Sequence, residues 1–261
     1  PQTLFKQIEL YLNGVCVSDL STPTYAYKAY LENHLSYGKD LKETTLLARE
    51  LYLKDTPEKE GPIVADYVDT NATAGIGKRA KYARQTIAFN MQPHIDFLGS
   101  VKYLVPGVEM RLKLIRNSDS FSIMSKSEDY KVKFKKLELK IRRIVLQPQY
   151  YEAVEKGLSS EPAKYPIAMS KIKQYLINSG VSNAHIPQIL RGKMPRSFIF
   201  GFVEAESYDG AITANPFTFK NMDISSLNVY LNGEPLHANA LNPNWTGMQC
   251  VSEYVRFLDN I

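Results

Sequence analysis

The chain has 261 residues, 44% of them hydrophobic and 23% charged, with a net charge of +5. That length supports one large or two medium domains with a sizeable core. The composition is the ordinary one of a soluble globular chain, and two cysteines do not make a disulfide framework. The charge is compatible with nucleic-acid contact but does not demand it, and no apolar run approaches the length of a membrane span.

Residues 4–18 read as two strands about Asn13-Gly14, because both residues tolerate φ > 0 in a two-residue hairpin turn. A helix is predicted over 25–37, with Tyr27, Tyr30, Leu31 and Leu35 at helical spacing and Gly38 as its stop. A second helix is expected from Lys42 to Leu53, with Asp40 as a possible N-cap. Residues 55–77 read as a long polar excursion.

Strands are predicted over 84–90 and 108–116. In the latter, Val108, Met110, Leu112 and Leu114 share one face, and Glu109, Arg111, Lys113 and Ile115 the other. A short strand is expected at Phe121-Ser-Ile-Met124. A long one is expected at 130–146, where parity changes between Val132/Phe134 and Leu137/Leu139/Ile141, so a bulge is placed near Lys135-Lys136. A short helical connector follows Pro148. Strand-like runs then occupy 165–177 and 197–204, the second apolar enough to read as buried. Asn215-Pro-Phe-Thr-Phe219 reads as a loop with two aromatic anchors.

Residues 227–233, Leu-Asn-Val-Tyr-Leu-Asn-Gly, repeat the pattern of residues 8–14, Ile-Glu-Leu-Tyr-Leu-Asn-Gly. Each copy is followed by turn residues and an aromatic, helix-like run, which suggests two similar β-rich units in tandem. The alternative is coincidence between two Asn-Gly hairpins. If the repeat holds, about 50 residues precede the first unit and about 100 follow the second in a longer protein. The expected architecture is mainly β with helical insertions: two β-sandwiches in tandem. The first unit is placed at 1–147 without its N-terminal strands, and the second at 148–261 without its C-terminal strands.

Neither the histidines nor the cysteines form a chemical motif. His34, His94, His185 and His237 are not at metal-ligand spacing with one another, and Cys16 and Cys250 read as packed small residues. Gly75-Ile-Gly77-Lys-Arg lacks the full phosphate-loop pattern. The expectation is therefore no catalytic residue, metal or cofactor. A positive stripe is plain: Lys131, Lys133, Lys135, Lys136, Lys140, Arg142 and Arg143, with Glu138 as the one acid between them. A solvated strand face is the favoured reading, because aromatics do not alternate with the cations as in single-strand stacking platforms; contact with packaged DNA or an acidic partner is the functional one.

The runs Leu12-Asn-Gly, Tyr25 to Glu32, Ser36-Tyr-Gly-Lys39 and Tyr52-Leu-Lys-Asp-Thr56 resemble the major capsid proteins of Polinton/Maverick elements and adintoviruses. So do Arg111 to Arg116 with Ser118 to Phe121, Lys164-Tyr-Pro-Ile167, Gly201-Phe-Val203 and Asn215 to Lys220, in the same order along the chain. The resemblance implies a double jelly roll whose homotrimers form pseudo-hexagonal capsomers, meet neighbouring capsomers and a minor penton protein, and build an icosahedral shell around double-stranded DNA. It implies a non-enzymatic virion protein assembled in the host cytoplasm or nucleus. Tyr208, Phe217 and Phe219 are then candidates for the subunit interface. The alternatives are a ligand-binding, lectin-like β-sandwich and a domesticated cellular copy of a capsid gene.

Overall fold

The structure, a computed structural model, describes residues 1–18, 23–52, 79, 82, 85–125, 130–189, 192, 194–236, 240–247 and 250–258. The expected excursion at 55–77 and His237 lie outside these residues.

The three-stranded sheet is built around the first Asn-Gly. Strands β1 (Phe5–Leu12) and β2 (Val15–Cys16) meet antiparallel with Leu12 opposite Val15. Asn13 and Gly14 take φ of 47° and 81°, the two positive values that the tight turn requires. Strand β3 (Met110–Arg116) pairs along the other edge of β1, giving a three-stranded sheet in the order β2-β1-β3. The register places Ile8 opposite Leu114 and Leu10 opposite Leu112. Side chains alternate across a strand, so these four share one face, as the alternation in 108–116 predicts.

That face meets helix α1 (Tyr25–Leu35). Phe5, Ile8, Leu10, Tyr25, Ala29 and Ile95 form the main core, and Leu112 and Leu114 pack against it. On the sheet's other face the Tyr11 hydroxyl donates to Glu9 Oε2 (2.7 Å) and Lys113 Nζ reaches the same oxygen at 3.2 Å. The Arg111 guanidinium lies 4.5 Å from the Tyr11 ring centroid. Such directly opposed pairs stabilise an antiparallel sheet by roughly 0.2–1 kcal/mol each.

The second predicted helix occurs as a continuous run: α2 (Lys39–Leu41), a π-helical turn Lys42–Leu46, and α3 (Leu47–Glu50). Gly38 is the N-cap of this run and Asp40 lies within its first turn, while Ser36 caps the end of α1. Gly38 thus opens the second helix instead of closing the first. The connector after Pro148 is a helix, Pro148–Ser160. The second Asn-Gly also forms its hairpin, with Asn232 and Gly233 at φ 53° and 91° between β4 (Tyr230–Leu231) and β5 (Glu234–Pro235). A helix, Val251–Leu258, follows it.

The mainly-β, double jelly-roll expectation is overturned. Of the described residues, 11% are in strands and 29% in helices, and the sheets have three and two strands. Residues 85–90, 130–147, 161–178 and 196–204 join no ladder. Alternation marks which side chains share a face, but a strand needs a second backbone to take its N–H and C=O groups, and alternation does not supply one. The expected buried strand at 197–204 is open, with Ile199 and Phe200 exposed. Residues 121–124 are not a strand either. Ser118 Oγ accepts from the Phe121 N–H and caps a short helix, Asp119–Ser122, that buries Phe121. The chain bends at Lys135, where the parity change lies.

Among the described residues no helix is long and apolar enough to cross a membrane.

Candidate functional site

Three places concentrate side chains with chemistry. The first lies along the polar side of α1. Lys28 and Glu32 are one helical turn apart and face the segment that leads into the 3-10 turn Asp96–Gly99. Lys28 Nζ meets Asp96 Oδ1 at 2.6 Å, and both side chains are largely buried. Asp96 Oδ2 accepts the Ser170 N–H (3.1 Å), so one carboxylate ties 170 to α1. His94 Nδ1 shares a 2.6 Å hydrogen bond with Glu32 Oε2. The His94 backbone N–H donates to the Tyr25 hydroxyl, which itself donates to Gln2 Oε1; Gln2 Nε2 donates to Glu50. Burial pushes the Tyr25 phenol well above its ordinary range.

A cavity of about 300 Å³ opens beside this network, lined by Glu32, Tyr37, His94, Asp96, Ser100 and Pro166 among others. The carboxylate holds the imidazole in one orientation, and the cavity wall is polar. No group of three or more His, Cys, Asp or Glu side chains among the described residues could hold a metal ion. Sequence reading missed this network, because His94 and Glu32 are 62 positions apart and neither carries a motif.

The second place brings together Tyr208, Phe217 and Phe219, the residues singled out as interface candidates, on the aromatic side of α1. Tyr27 stacks on Tyr208 (centroids 5.3 Å, planes 13° apart) and Tyr30 on Phe217 (4.7 Å, 13°). Phe121 meets Phe217 edge-on at 5.9 Å. The Tyr27 hydroxyl donates to the Pro216 carbonyl at 2.9 Å. Tyr208 and Phe217 are half-buried in this cluster, whereas Phe219 remains exposed at its rim, its ring lying over Gly201.

The third place is the cationic segment 131–143. Its start is docked. Phe134 stacks on Phe5 at 5.9 Å, Arg116 Nη2 donates to the Val132 carbonyl (2.8 Å), and Asp119 accepts the Val132 N–H. Lys135 donates to Thr86 Oγ1 and Lys136 pairs with Glu138 at 2.7 Å. Lys131, Lys133, Lys140, Arg142 and Arg143 are exposed and have no acidic partner among the described residues.

No known protein family matches the chain, and no solved structure does. In an alignment 268 positions long that covers 99% of the chain, it is 24% identical to a Caenorhabditis elegans protein named "Uncharacterized protein F54H12.2". The chain spans 59% of that protein's length.

Proposed function

We propose that the chain is a structural subunit that works by self-assembly: a non-enzymatic capsid protein whose homotrimers tile a shell around double-stranded DNA. The observation that carries this reading is the open apolar surface of segment 137–146. Leu137, Leu139, Ile141 and Val145 are 62%, 54%, 61% and 85% exposed. Exposed apolar rows of this size mark a surface that another protein covers. Unladdered backbone beside them is a template for strand addition. Met169, Leu176, Ile199 and Phe200 add further open apolar positions on two other unladdered segments. The ordered resemblance to Polinton/Maverick and adintovirus capsid proteins supports the same reading.

In this reading the apolar rows meet a second copy of the chain, and Phe219 contributes at the edge of the aromatic cluster. Obligate interfaces of this kind bury roughly 2,000 Å² or more and are markedly apolar.

Light scattering on the full-length protein, with electron microscopy of the same sample, tests the proposal. Stable trimers or closed shells are the expected result. A monomer across salt and pH overturns it. A second reading, a genome-resident cellular copy with the same assembly chemistry, is favoured by the similar protein in a nematode. Nuclease-protected DNA inside shells made in infected or transfected cells separates an active shell from a domesticated one.

A further inference from the structure

We propose that segment 131–143 binds the phosphate backbone of duplex DNA without reading its sequence. This deepens the shell reading and rests on it for the role of the contact. Three observations carry it.

The first is the unspent charge. Six of the seven cations have no acidic partner among the described residues: Lys135 is tied to the Thr86 hydroxyl, the other five are left exposed, and the one acid in the segment is already held by Lys136. Most cations on a protein surface stand near compensating acids; a run of one sign raises a local potential that attracts a polyanion. The second is reach. The segment is neither helix nor ladder, and from Lys131 to Arg143 the backbone can extend up to about 40 Å. A cationic line of that length suits a linear polyanion with a regular charge repeat better than a compact acidic patch. The third decides between duplex and single strand. Single-strand platforms need an aromatic ring free to stack on a base. Phe134 is stacked on Phe5 and lies 5.7 Å beneath the Arg116 guanidinium, so its face is taken. What is left to offer is charge, which neutralises phosphates and carries no sequence information.

The test is fluorescence anisotropy of the full-length protein with labelled duplexes of two unrelated sequences, across a salt series. Five phosphate contacts predict a log–log slope of about −4.5, hence a loss of affinity of about 500-fold between about 50 and 200 mM salt. Both sequences should bind alike. The variant K131Q/K133Q/K140Q/R142Q/R143Q should remove most of that slope and weaken binding by about 100-fold at about 50 mM salt. The control K39Q/K164Q, two exposed lysines elsewhere, should stay within about twofold of the unaltered protein. The proposal is overturned by a flat salt response, or by equal losses in variant and control, which would assign binding to diffuse net charge. It is also overturned if polyglutamate displaces the duplex at equal charge concentration, which would make the partner an acidic protein. Light scattering on the same samples keeps the two readings apart. Assembly with no segment-dependent DNA binding defeats this inference alone, and a monomer that binds with the expected slope defeats the shell alone.

Discussion

Gly210 shows how much one backbone position can carry. It ends the helix Ala205–Asp209 at φ +95°, and a Cβ there would sit 2.9 Å from Phe121 Cβ and 3.0 Å from its amide nitrogen. Both the left-handed backbone and the contact exclude a side chain, so Gly210→Ala should cost about 1–3 kcal/mol in urea unfolding. An unchanged midpoint would mean that 205–210 is not held against Phe121. Glu9 supplies a pH prediction. The Tyr11 hydroxyl, then Lys113, hold its carboxyl below the ordinary 4.5. A carboxyl lowered in the folded state contributes stability that is present above about 4.5 and is lost as pH falls through the folded value. Acid unfolding followed by circular dichroism should therefore steepen below about pH 4.5, and Glu9→Gln should flatten that limb.

At the scale of elements, α1 is the organiser. One side, through Tyr25 and Ala29, buries against β1; another, through Tyr27 and Tyr30, collects the 205–219 aromatics; a third, through Lys28 and Glu32, holds 94–96. Lys28→Met leaves the Asp96 carboxylate largely buried with no cation, and should cost about 1–3 kcal/mol. Hydrogen exchange should show the loss concentrated at 94–100 and at Ser170, which the same carboxylate holds. Loss spread evenly over the chain would contradict a local clamp. The aromatic cluster divides two roles that the sequence could only lump together. Phe217→Ala removes a ring packed on Tyr27, Tyr30 and Phe121, and should cost about 2–4 kcal/mol of stability. Phe219→Ala, at the exposed rim, should leave the melting temperature nearly unchanged and weaken assembly, read by light scattering. Equal losses of stability in both variants would place Phe219 inside the fold.

At the scale of the whole molecule, what could be read in advance was local. Asn-Gly twice requires positive φ at two successive residues, and both hairpins formed with equivalent registers, Tyr11 opposite Cys16 and Tyr230 opposite Pro235. Helical spacing located α1, Pro148 opens the expected helical connector, and alternation assigned the faces of β3. These features follow from sterics and periodicity within a few residues, so the sequence alone determined them. Pairing did not follow. The alternation at 108–116 and that at 130–146 look alike in the sequence, yet one found β1 and the other found no ladder among the described residues, which is why the mainly-β expectation failed. Nor could spacing foresee that His94 would meet Glu32, or that Tyr208 and Phe217 would fold onto α1. Contacts between residues far apart in the chain depend on which surfaces close on each other, a balance of burial against chain entropy over the entire fold, and only the tertiary structure decided it.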